Sequence, residues 1–278
     1  MELRPLGATG LAVSPLGLGT VKFGRNAGVK YPRPFDLPSD QQALTLLETA
    51  WELGINLLDT APAYGVSEER LGRLLQHCRR DWVIATKVGE EFVDGISRFD
   101  FSGPATEASV ERSLRRLGVE VLDIVLIHSD GNDLKILEQE AVLTTLLNLK
   151  QAGLVRAVGI STKTVAGSLR AVDCCDLVML TYNRRELSEL PAIRAAHAAN
   201  KGILIKKALQ SGHLPEGAQP DSLQAALRFV YAQPGVDSVV IGTLNPDHLW
   251  ANVRAVERVL ADANKNGDPQ TAVECKKS

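Results

Sequence analysis

The sequence predicts an α/β protein that folds as a single (β/α)8 TIM barrel. Short apolar runs alternate with longer amphipathic stretches, and each kind occurs eight times. This alternation favours a parallel sheet whose strands are joined by helical crossovers. Eight such units in about 250 residues match the size of a closed barrel. A doubly wound open sheet is the competing architecture, because it has the same alternation of strands and helices.

The chain begins with a segment that predicts a β-hairpin before the first barrel strand. Residues 3–17, LRPLGATGLAVSPLG, hold a turn between two short extended pieces. We expect this hairpin to close the bottom of the barrel. The barrel strands are then predicted at residues 16–20, 55–59, 82–87, 123–128, 155–161, 176–181, 202–206 and 237–241.

The helices are predicted from apolar residues at helical spacing and from their end signals. Ser39 and Gln42 have the spacing of a capping box, and Gly54 stands where a helix stop is expected. Asn245 before Pro246 predicts an N-cap followed by proline at the first helical position. The predicted helices span about residues 41–53, 67–78, 105–117, 137–152, 165–172, 188–199, 221–232 and 246–262.

Composition indicates one globular domain without a charged partner. The 278 residues are 45% hydrophobic and carry a formal net charge of -2, so nothing suggests a nucleic-acid or membrane-surface partner. The sequence lacks an apolar signal segment and a run of transmembrane length. Four cysteines without zinc or CxxC spacing indicate reduced thiols and a cytoplasmic protein. We expect residues 1–278 to form one domain with a polar tail from about residue 262; the oligomeric state is unknown.

Ionisable side chains end three consecutive predicted strands. Asp59 ends the second strand, Lys87 the third and His128 the fourth, and Tyr64 lies in the loop that leaves the second. Each has an ordinary structural explanation: a capping aspartate, a solvated lysine, a core histidine, or a tyrosine packed beside Pro62. Because the carboxyl ends of barrel strands form one rim, where active sites lie, we expect the four to meet there.

Together these residues suit the protonation of an oxygen atom that gains negative charge. A free tyrosine has a pKa near ~10, and a neighbouring Lys87 ammonium would favour the phenolate and lower that pKa. Asp59 would supply the opposite charge that a partly buried lysine needs. His128 could donate a hydrogen bond to a substrate oxygen. No nucleophile or metal cluster accompanies them, so the missing component is an electron donor such as a hydride cofactor.

Five short motifs stand at or near the ends of the predicted strands: LGLGT (16–20), LLDTAPAYG (57–65), IATKVG (84–89), VLIHSD (125–130) and VGIS (158–161). In these motifs the chain resembles the aldo-keto reductase family along nearly its whole length. The resemblance implies a (β/α)8 barrel and a nicotinamide-dependent carbonyl reductase. Tyr64 would be the general acid, Asp59 and Lys87 would tune it, and His128 would orient the carbonyl.

The resemblance also implies an extended dinucleotide, NADPH by default with NADH possible, bound across the rim. GLGTVKFG does not have the GxGxxG spacing of a Rossmann fold. Lys206 and Lys207 suit phosphate, although they could be solvated charges, and Asn245 could simply cap its helix. The residues expected to contact the coenzyme are Gly19, Thr20, Asp59, Ser161, Thr162, Lys206, Lys207, Leu209, Ser211, Gly212, Gly242, Thr243, Asn245, His248 and Asn252.

Three positions depart from the pattern of the family. Met179 stands where many members have glutamine, Lys206 where an aromatic residue often stacks on nicotinamide, and His248 where arginine commonly binds the adenosine phosphate. The substrate is expected to be a small-molecule carbonyl compound. Phe23 and Tyr31 are the predicted walls of its pocket.

Two other functions compete with carbonyl reduction. Lys87 could form a Schiff base in a different barrel enzyme, which borohydride trapping would detect. Alternatively, the chain could be a regulatory subunit that retains the coenzyme but has little turnover. The coherent set of Asp59, Tyr64, Lys87 and His128 favours the reductase over both.

Overall fold

Eight parallel strands close into a barrel in the computed structural model, which describes residues 1–29, 31, 34–76, 81–210 and 220–265. The strands are β1 (Arg4–Pro5), β2 (Ala12–Val13), β3 (Leu16–Gly19), β4 (Leu57–Asp59), β5 (Val83–Val88), β6 (Glu90–Val93), β7 (Ile96–Phe99), β8 (Leu122–His128), β9 (Val155–Ser161), β10 (Leu177–Thr181), β11 (Gly202–Lys206) and β12 (Ser238–Ile241). The barrel order is β3-β4-β5-β8-β9-β10-β11-β12, closing back onto β3. The predicted barrel is therefore confirmed, and each strand lies within two residues of its predicted range.

Helices surround the barrel. They are α1 (Val21–Gly24), α2 (Asp40–Glu52), α3 (Ser67–Leu75), α4 (Gly103–Leu117), α5 (Asp133–Glu138), α6 (Val142–Gln151), α7 (Val165–Cys174), α8 (Leu190–Ala198), α9 (Pro220–Tyr231) and α10 (Pro246–Lys265), with a 3-10 helix at Pro62–Tyr64. The capping box of Ser39 and Gln42 is present at the start of α2. None of the helices in the described ranges is both long and apolar enough to cross a membrane.

The helix predicted over residues 137–152 is wrong as a single element. It is two helices, α5 and α6, separated at residues 139–141. Asp133 is the first residue of α5. Its carboxylate accepts hydrogen bonds from the backbone N–H groups of Lys163 and Thr164, at 3.0 and 2.7 Å. That anchor ties the start of α5 to the loop after β9. Buried apolar residues stand on both sides of the break, so the apolar pattern does not reveal it in the sequence. At the C-terminus, α10 runs to Lys265, beyond its predicted end at about residue 262.

The N-terminal hairpin closes one end of the barrel, as expected. β1 pairs antiparallel with β2, and Leu6, Leu11 and Val13 pack into the cluster of buried residues inside the barrel. Gly7 has a φ of +48°, and a Cβ there would lie 2.3 Å from the backbone nitrogen of Gly202. Only glycine therefore lets the hairpin approach the start of β11 so closely.

Asp237, just before β12, makes the stability of this closed end depend on pH. Its carboxylate accepts the N–H of Ile203 at 2.8 Å, and burial raises the pKa of Asp237 to about 7 from an ordinary 3.8. The folded chain thus binds more protons than the unfolded chain between about pH 4 and pH 7, so stability falls as pH rises through that window. Asp237→Asn should abolish this loss while keeping an acceptor for Ile203.

Urea unfolding at pH 5 and pH 8 measures the effect. We expect wild type to lose at least about 1.4 kcal/mol more than Asp237→Asn between the two pH values, the equivalent of one pKa unit. Asp262→Asn, at an exposed ion pair with Arg228, is the matched control. Equal losses in wild type and Asp237→Asn would contradict the prediction.

Candidate active site

Three neighbouring strands bring the predicted ionisable residues to one rim of the barrel. Asp59, Lys87 and His128 lie at or next to the carboxyl ends of β4, β5 and β8, which pair in that order. Lys87 Nζ lies 4.7 Å from the centroid of the Tyr64 ring. The rings of Tyr64 and His128 meet edge to face, with centroids 6.2 Å apart. The four side chains therefore form one cluster.

Lys87 and Asp59 form a buried ion pair within this cluster. Lys87 Nζ donates to Asp59 Oδ1 at 2.6 Å and to the backbone oxygen of Thr60 at 2.8 Å. The side chains are only 2% and 7% exposed, so neither charge is effectively solvated. Each charge consequently depends on the other for compensation.

Tyr64 is placed over the pair by a short and tightly packed loop. The 3-10 helix Pro62–Tyr64 begins with a proline and ends at Gly65, which has a φ of +61°. A Cβ at Gly65 would lie 2.2 Å from the carbonyl oxygen of Gly24. Glycine is required at both the turn and the contact, so the backbone holds the phenol close to Asp59 and Lys87.

Buried hydroxyl groups hold the end of β4 in place. Thr20 Oγ1 donates to the backbone oxygen of Asp59 at 2.9 Å and lies 2.9 Å from Ser67 Oγ. Thr60 Oγ1 donates to Ser67 Oγ at 3.1 Å. Thr20, one of the predicted coenzyme residues, therefore has its hydroxyl group bound inside the protein. Its side chain supports Asp59 rather than facing the rim.

The lowering of the Tyr64 pKa that is expected from Lys87 is not the net effect in this structure. Burial, followed by the Asp59 and Glu90 carboxylates, raises the pKa of Tyr64 well above its ordinary value of 10.0. Asp59 lies 2.6 Å from Lys87 and partly compensates its charge, so the stabilisation of the phenolate by Lys87 is outweighed by burial and the carboxylates. Tyr64 is therefore a protonated phenol at neutral pH and can donate a proton.

Glu90 is a member of the cluster that the sequence analysis missed. It begins β6 of the hairpin β6–β7, which rises from the rim directly after β5. Glu90 Oε2 lies 2.8 Å from His128 Nδ1, and the carboxylate is 11% exposed. The sequence does contain a signal for the hairpin that carries Glu90. Asp94-Gly95 is a typical two-residue hairpin turn, and both residues have positive φ.

The residues predicted to bind nicotinamide meet at the ends of β9 and β11. Lys206 Nζ donates to Ser161 Oγ at 2.8 Å and to the backbone oxygen of Thr162 at 2.6 Å. Burial lowers the pKa of Lys206 to about 8, so Lys206 is not a solvated charge, whereas Lys207 is exposed. The Thr162 hydroxyl group faces inward and donates to Glu189 Oε1 at 3.0 Å.

The other predicted coenzyme residues that the structure describes follow β11 or lie at the ends of β3 and β12 and in α10. Asn245 Oδ1 accepts the N–H of Asp247 at 2.8 Å, so capping of α10 is confirmed. Leu209 is half-buried, Asn252 is buried and His248 is exposed at the start of α10. Ser211 and Gly212 lie outside the described residues. Gly19, Gly242 and Thr243 lie at or just beyond the ends of β3 and β12, which pair with each other.

These residues fit an anionic dinucleotide. Gln210 follows the two lysines after β11, and its buried Oε1 atom has no hydrogen-bond partner among the described residues. An unpaired buried acceptor is rare in folded proteins unless a ligand or water satisfies it. Lys206 and Lys207 supply positive charge beside it. The two lysines thus suit the phosphate groups of a ligand, and the Gln210 oxygen suits an amide or hydroxyl donor of that ligand.

Phe23 is not a wall of a substrate pocket. Its side chain in α1 is 0% exposed and packs in the large hydrophobic core, because α1 turns its apolar face inward. Tyr31 does lie at the rim: a Cβ placed on Gly242 would be 3.2 Å from its hydroxyl group, and Lys22 Nζ lies 4.2 Å from its ring centroid. The described ranges contain no group of three or more His, Cys, Asp or Glu side chains placed to hold a metal ion.

Comparison with known proteins agrees with this geometry. Residues 15–222 match the model of the Aldo/keto reductase family. The chain is 30% identical to D-threo-aldose 1-dehydrogenase from a Pseudomonas species, over 88% of this chain and 90% of that protein.

Solved structures give the same result. A Pseudomonas aeruginosa protein with a provisional aldo-keto reductase assignment is 53% identical, with a TM-score of 0.85 over 93% of this chain and 96% of that one. An aldo-keto reductase from Bacillus halodurans, solved in its holo form, is 26% identical, with a TM-score of 0.78 over 92% of this chain and 91% of that one.

Proposed function

This chain belongs to the aldo/keto reductase family, and we propose that it reduces aldehydes or ketones to alcohols, reversibly, with NADPH as the preferred coenzyme. One observation carries the proposal: a protonated Tyr64 lies beside the buried Lys87–Asp59 pair at the mouth of the barrel. An acid held in its protonated form suits the step in which a carbonyl oxygen gains charge and needs a proton.

The chain's own residues have separate roles in this reaction. The bound coenzyme supplies the hydride, which is chemistry that no side chain here can provide. Tyr64 donates its phenolic proton to the substrate oxygen, and Lys87 stabilises the phenolate that remains. Asp59 keeps Lys87 charged and fixes its position through the 2.6 Å contact. Burial of the pair excludes water and strengthens these electrostatic interactions.

We place the coenzyme along the rim from β9 to the start of α10. Ser161 and Lys206 would hold the nicotinamide end, Lys207 the pyrophosphate, and the residues around Asn245 and His248 the adenosine end. The positive charges of the two lysines support this placement, and the unpaired Oε1 of Gln210 would accept a hydrogen bond from a hydroxyl or amide group of the coenzyme. Ser211 and Gly212 stay predictions, as does the role of Thr162, whose hydroxyl group is bound to Glu189.

The first experiment is a fluorescence titration with NADPH and NADH, followed by a panel of carbonyl compounds. Tight binding of either coenzyme and coenzyme-dependent reduction would support the proposal. In a Schiff-base enzyme, borohydride would instead trap the substrate on Lys87. The ion pair of Lys87 with Asp59 argues against that alternative. Coenzyme binding without turnover of any carbonyl compound would favour a regulatory subunit.

His248→Arg is expected to increase the preference for NADPH over NADH. A guanidinium group binds a phosphate with two parallel hydrogen bonds, which an imidazole cannot do. We expect the affinity ratio to rise by roughly fivefold or more, the equivalent of about 1 kcal/mol. His197→Arg, on an exposed position of α8, is the matched control. An unchanged ratio in His248→Arg would place the adenosine phosphate elsewhere.

A further inference from the structure

Lys206 places a positive charge at the rim that is held by neutral oxygens. The residue ends β11, and its side chain reaches past β10 to β9. There Nζ donates to Ser161 Oγ at 2.8 Å and to the backbone oxygen of Thr162 at 2.6 Å. Met179, the residue of β10 that pairs with Ser161, has no polar group that could hold the ammonium. Both acceptors of the ammonium are therefore uncharged.

The carboxylates that act on Lys206 are engaged by other groups. Glu189 accepts the hydroxyl of Thr162 at 3.0 Å and the backbone N–H of Thr181 at 2.6 Å. The Asp133 carboxylate is held by the backbone of the loop after β9. Burial lowers the pKa of Lys206 to about 8, and the attraction of these two carboxylates opposes that effect only in part. The protein thus compensates the charge of Lys206 incompletely.

This charge lies next to the reacting cluster. Ser161, which accepts a hydrogen bond from the ammonium, pairs with His128 across β9 and β8. Burial is the main cause that lowers the pKa of His128, and the charges of Lys87 and Lys206 act in the same direction. A nicotinamide ring held at Ser161 would therefore lie beside the ammonium of Lys206.

The two oxidation states of a nicotinamide coenzyme differ in charge at this end alone. The oxidised ring is a cation and the reduced ring is neutral, whereas the phosphates and the adenosine are the same in both. A cation beside the ring repels the oxidised form and leaves the reduced form unaffected. Partial burial strengthens the repulsion, because solvent and salt screen buried charges less. Only a group near the ring can make this distinction.

We propose that Lys206 makes the chain discriminate between the oxidation states of its coenzyme, so that NADPH binds more tightly than NADP+. This inference rests on the proposed function, because it assigns a specificity to the coenzyme end of the same site. By linkage, tighter binding of the reduced form makes the bound oxidised form a stronger hydride acceptor than it is in solution. A tenfold ratio of affinities raises the reduction potential of the bound coenzyme by about 30 mV.

The ratio of two dissociation constants measures this effect without any carbonyl compound. NADPH is titrated by its fluorescence, and NADP+ by its displacement of NADPH. At pH 6.5 we expect Kd(NADP+)/Kd(NADPH) in wild type to exceed the ratio in Lys206→Met by about fivefold or more, because like charges repel strongly in a partly buried site. Lys207→Met is the matched control, since it removes an exposed charge from the next residue. It should weaken both forms alike and leave the ratio unchanged.

The ratio should also fall in wild type as the pH rises, because Lys206 loses its positive charge. Between pH 6.5 and pH 9.5 we expect a decrease of about fivefold or more, equivalent to about 1 kcal/mol. Lys206→Arg keeps its charge over this range, so its ratio should stay high. Lys206→Met has no charge to lose, so its ratio should stay low at both pH values.

The surroundings of Lys206 allow this pH dependence to be assigned. The pKa of Tyr64 is raised well above 10.0 and that of His128 is lowered below 6.5, so both lie outside the range. Groups on the adenosine side act on both oxidation states alike and cancel in the ratio. The charged or titratable groups that face Lys206 are Glu189 before α8, Asp133 of α5, Lys207 after β11, Lys87 of β5 and His128 of β8.

The outcomes separate this inference from the proposed function. Equal affinities for NADPH and NADP+ in wild type at pH 6.5, or a ratio that Lys206→Met leaves unchanged, would overturn the inference and leave carbonyl reduction intact. If Lys206→Met binds neither form, a wild-type ratio that is the same at pH 6.5 and pH 9.5 would overturn it instead. Failure of wild type to bind NADPH or NADH would overturn the proposed function, and this inference with it.

Discussion

Tyr64→Phe is expected to lose most carbonyl-reducing activity while binding coenzyme nearly as well as wild type. The substitution removes only the hydroxyl group, and the ring keeps its place above Lys87 Nζ, 4.7 Å from the centroid. Lys87 cannot readily replace it as the proton donor, because Lys87 is paired with Asp59. Loss of a general acid reduces kcat by about 100-fold or more.

Steady-state kinetics and coenzyme titration test this expectation together. Tyr182→Phe is the matched control, since it removes a phenolic hydroxyl from a buried ring that stacks on Phe229. That variant should keep its kcat. Full activity in Tyr64→Phe would show that another group donates the proton, and a parallel loss of coenzyme binding would indicate a structural role for the hydroxyl.

Lys87→Met is expected to cause the largest loss of stability among substitutions at the site. It removes the ammonium group and leaves the Asp59 carboxylate, 7% exposed, without its cation. The backbone oxygen of Thr60 loses its donor as well. Breaking one side of a buried ion pair costs about 3–5 kcal/mol, because the remaining charge stays unsolvated.

Urea unfolding of a double variant separates the charge from the packing. In Asp59→Asn with Lys87→Met, no uncompensated charge remains, so we expect most of the lost stability to return. Activity should stay low in both variants, because the phenolate that Tyr64 leaves behind has no cation beside it. If Lys87→Met unfolds at the same urea concentration as wild type, the pair contributes little to folding.

The sequence was sufficient for the barrel and for the ionisable cluster. Strand positions follow from short apolar runs, and Asp59, Lys87 and His128 meet because parallel strands share one rim. Tyr64 could be placed only by its short distance from Asp59 in the chain. The break between α5 and α6 could not be predicted, because the apolar spacing continues through it while the anchor of Asp133 lies thirty or so residues away in the chain.

The pKa shifts and the buried contacts of the site were harder to predict from the sequence than the positions of its residues. Whether Lys87 or the carboxylates dominate the pKa of Tyr64 depends on distances and burial that no spacing pattern contains. The same is true of Phe23, whose aromatic ring suits a pocket wall equally well until α1 turns it into the core. Glu90 was overlooked because its partner, His128, is on a different strand and far away in the chain.

The N-terminal hairpin also has a consequence for how ligands reach the site. Leu6, Leu11 and Val13 cover the packed interior of the barrel at the end opposite to Tyr64, so within the described ranges ligands approach the site from the rim. Two molecules that react with each other there must both approach from that side. The one that lies deeper has to enter first and leave last, which makes the order of binding a property of the architecture rather than of either molecule's affinity.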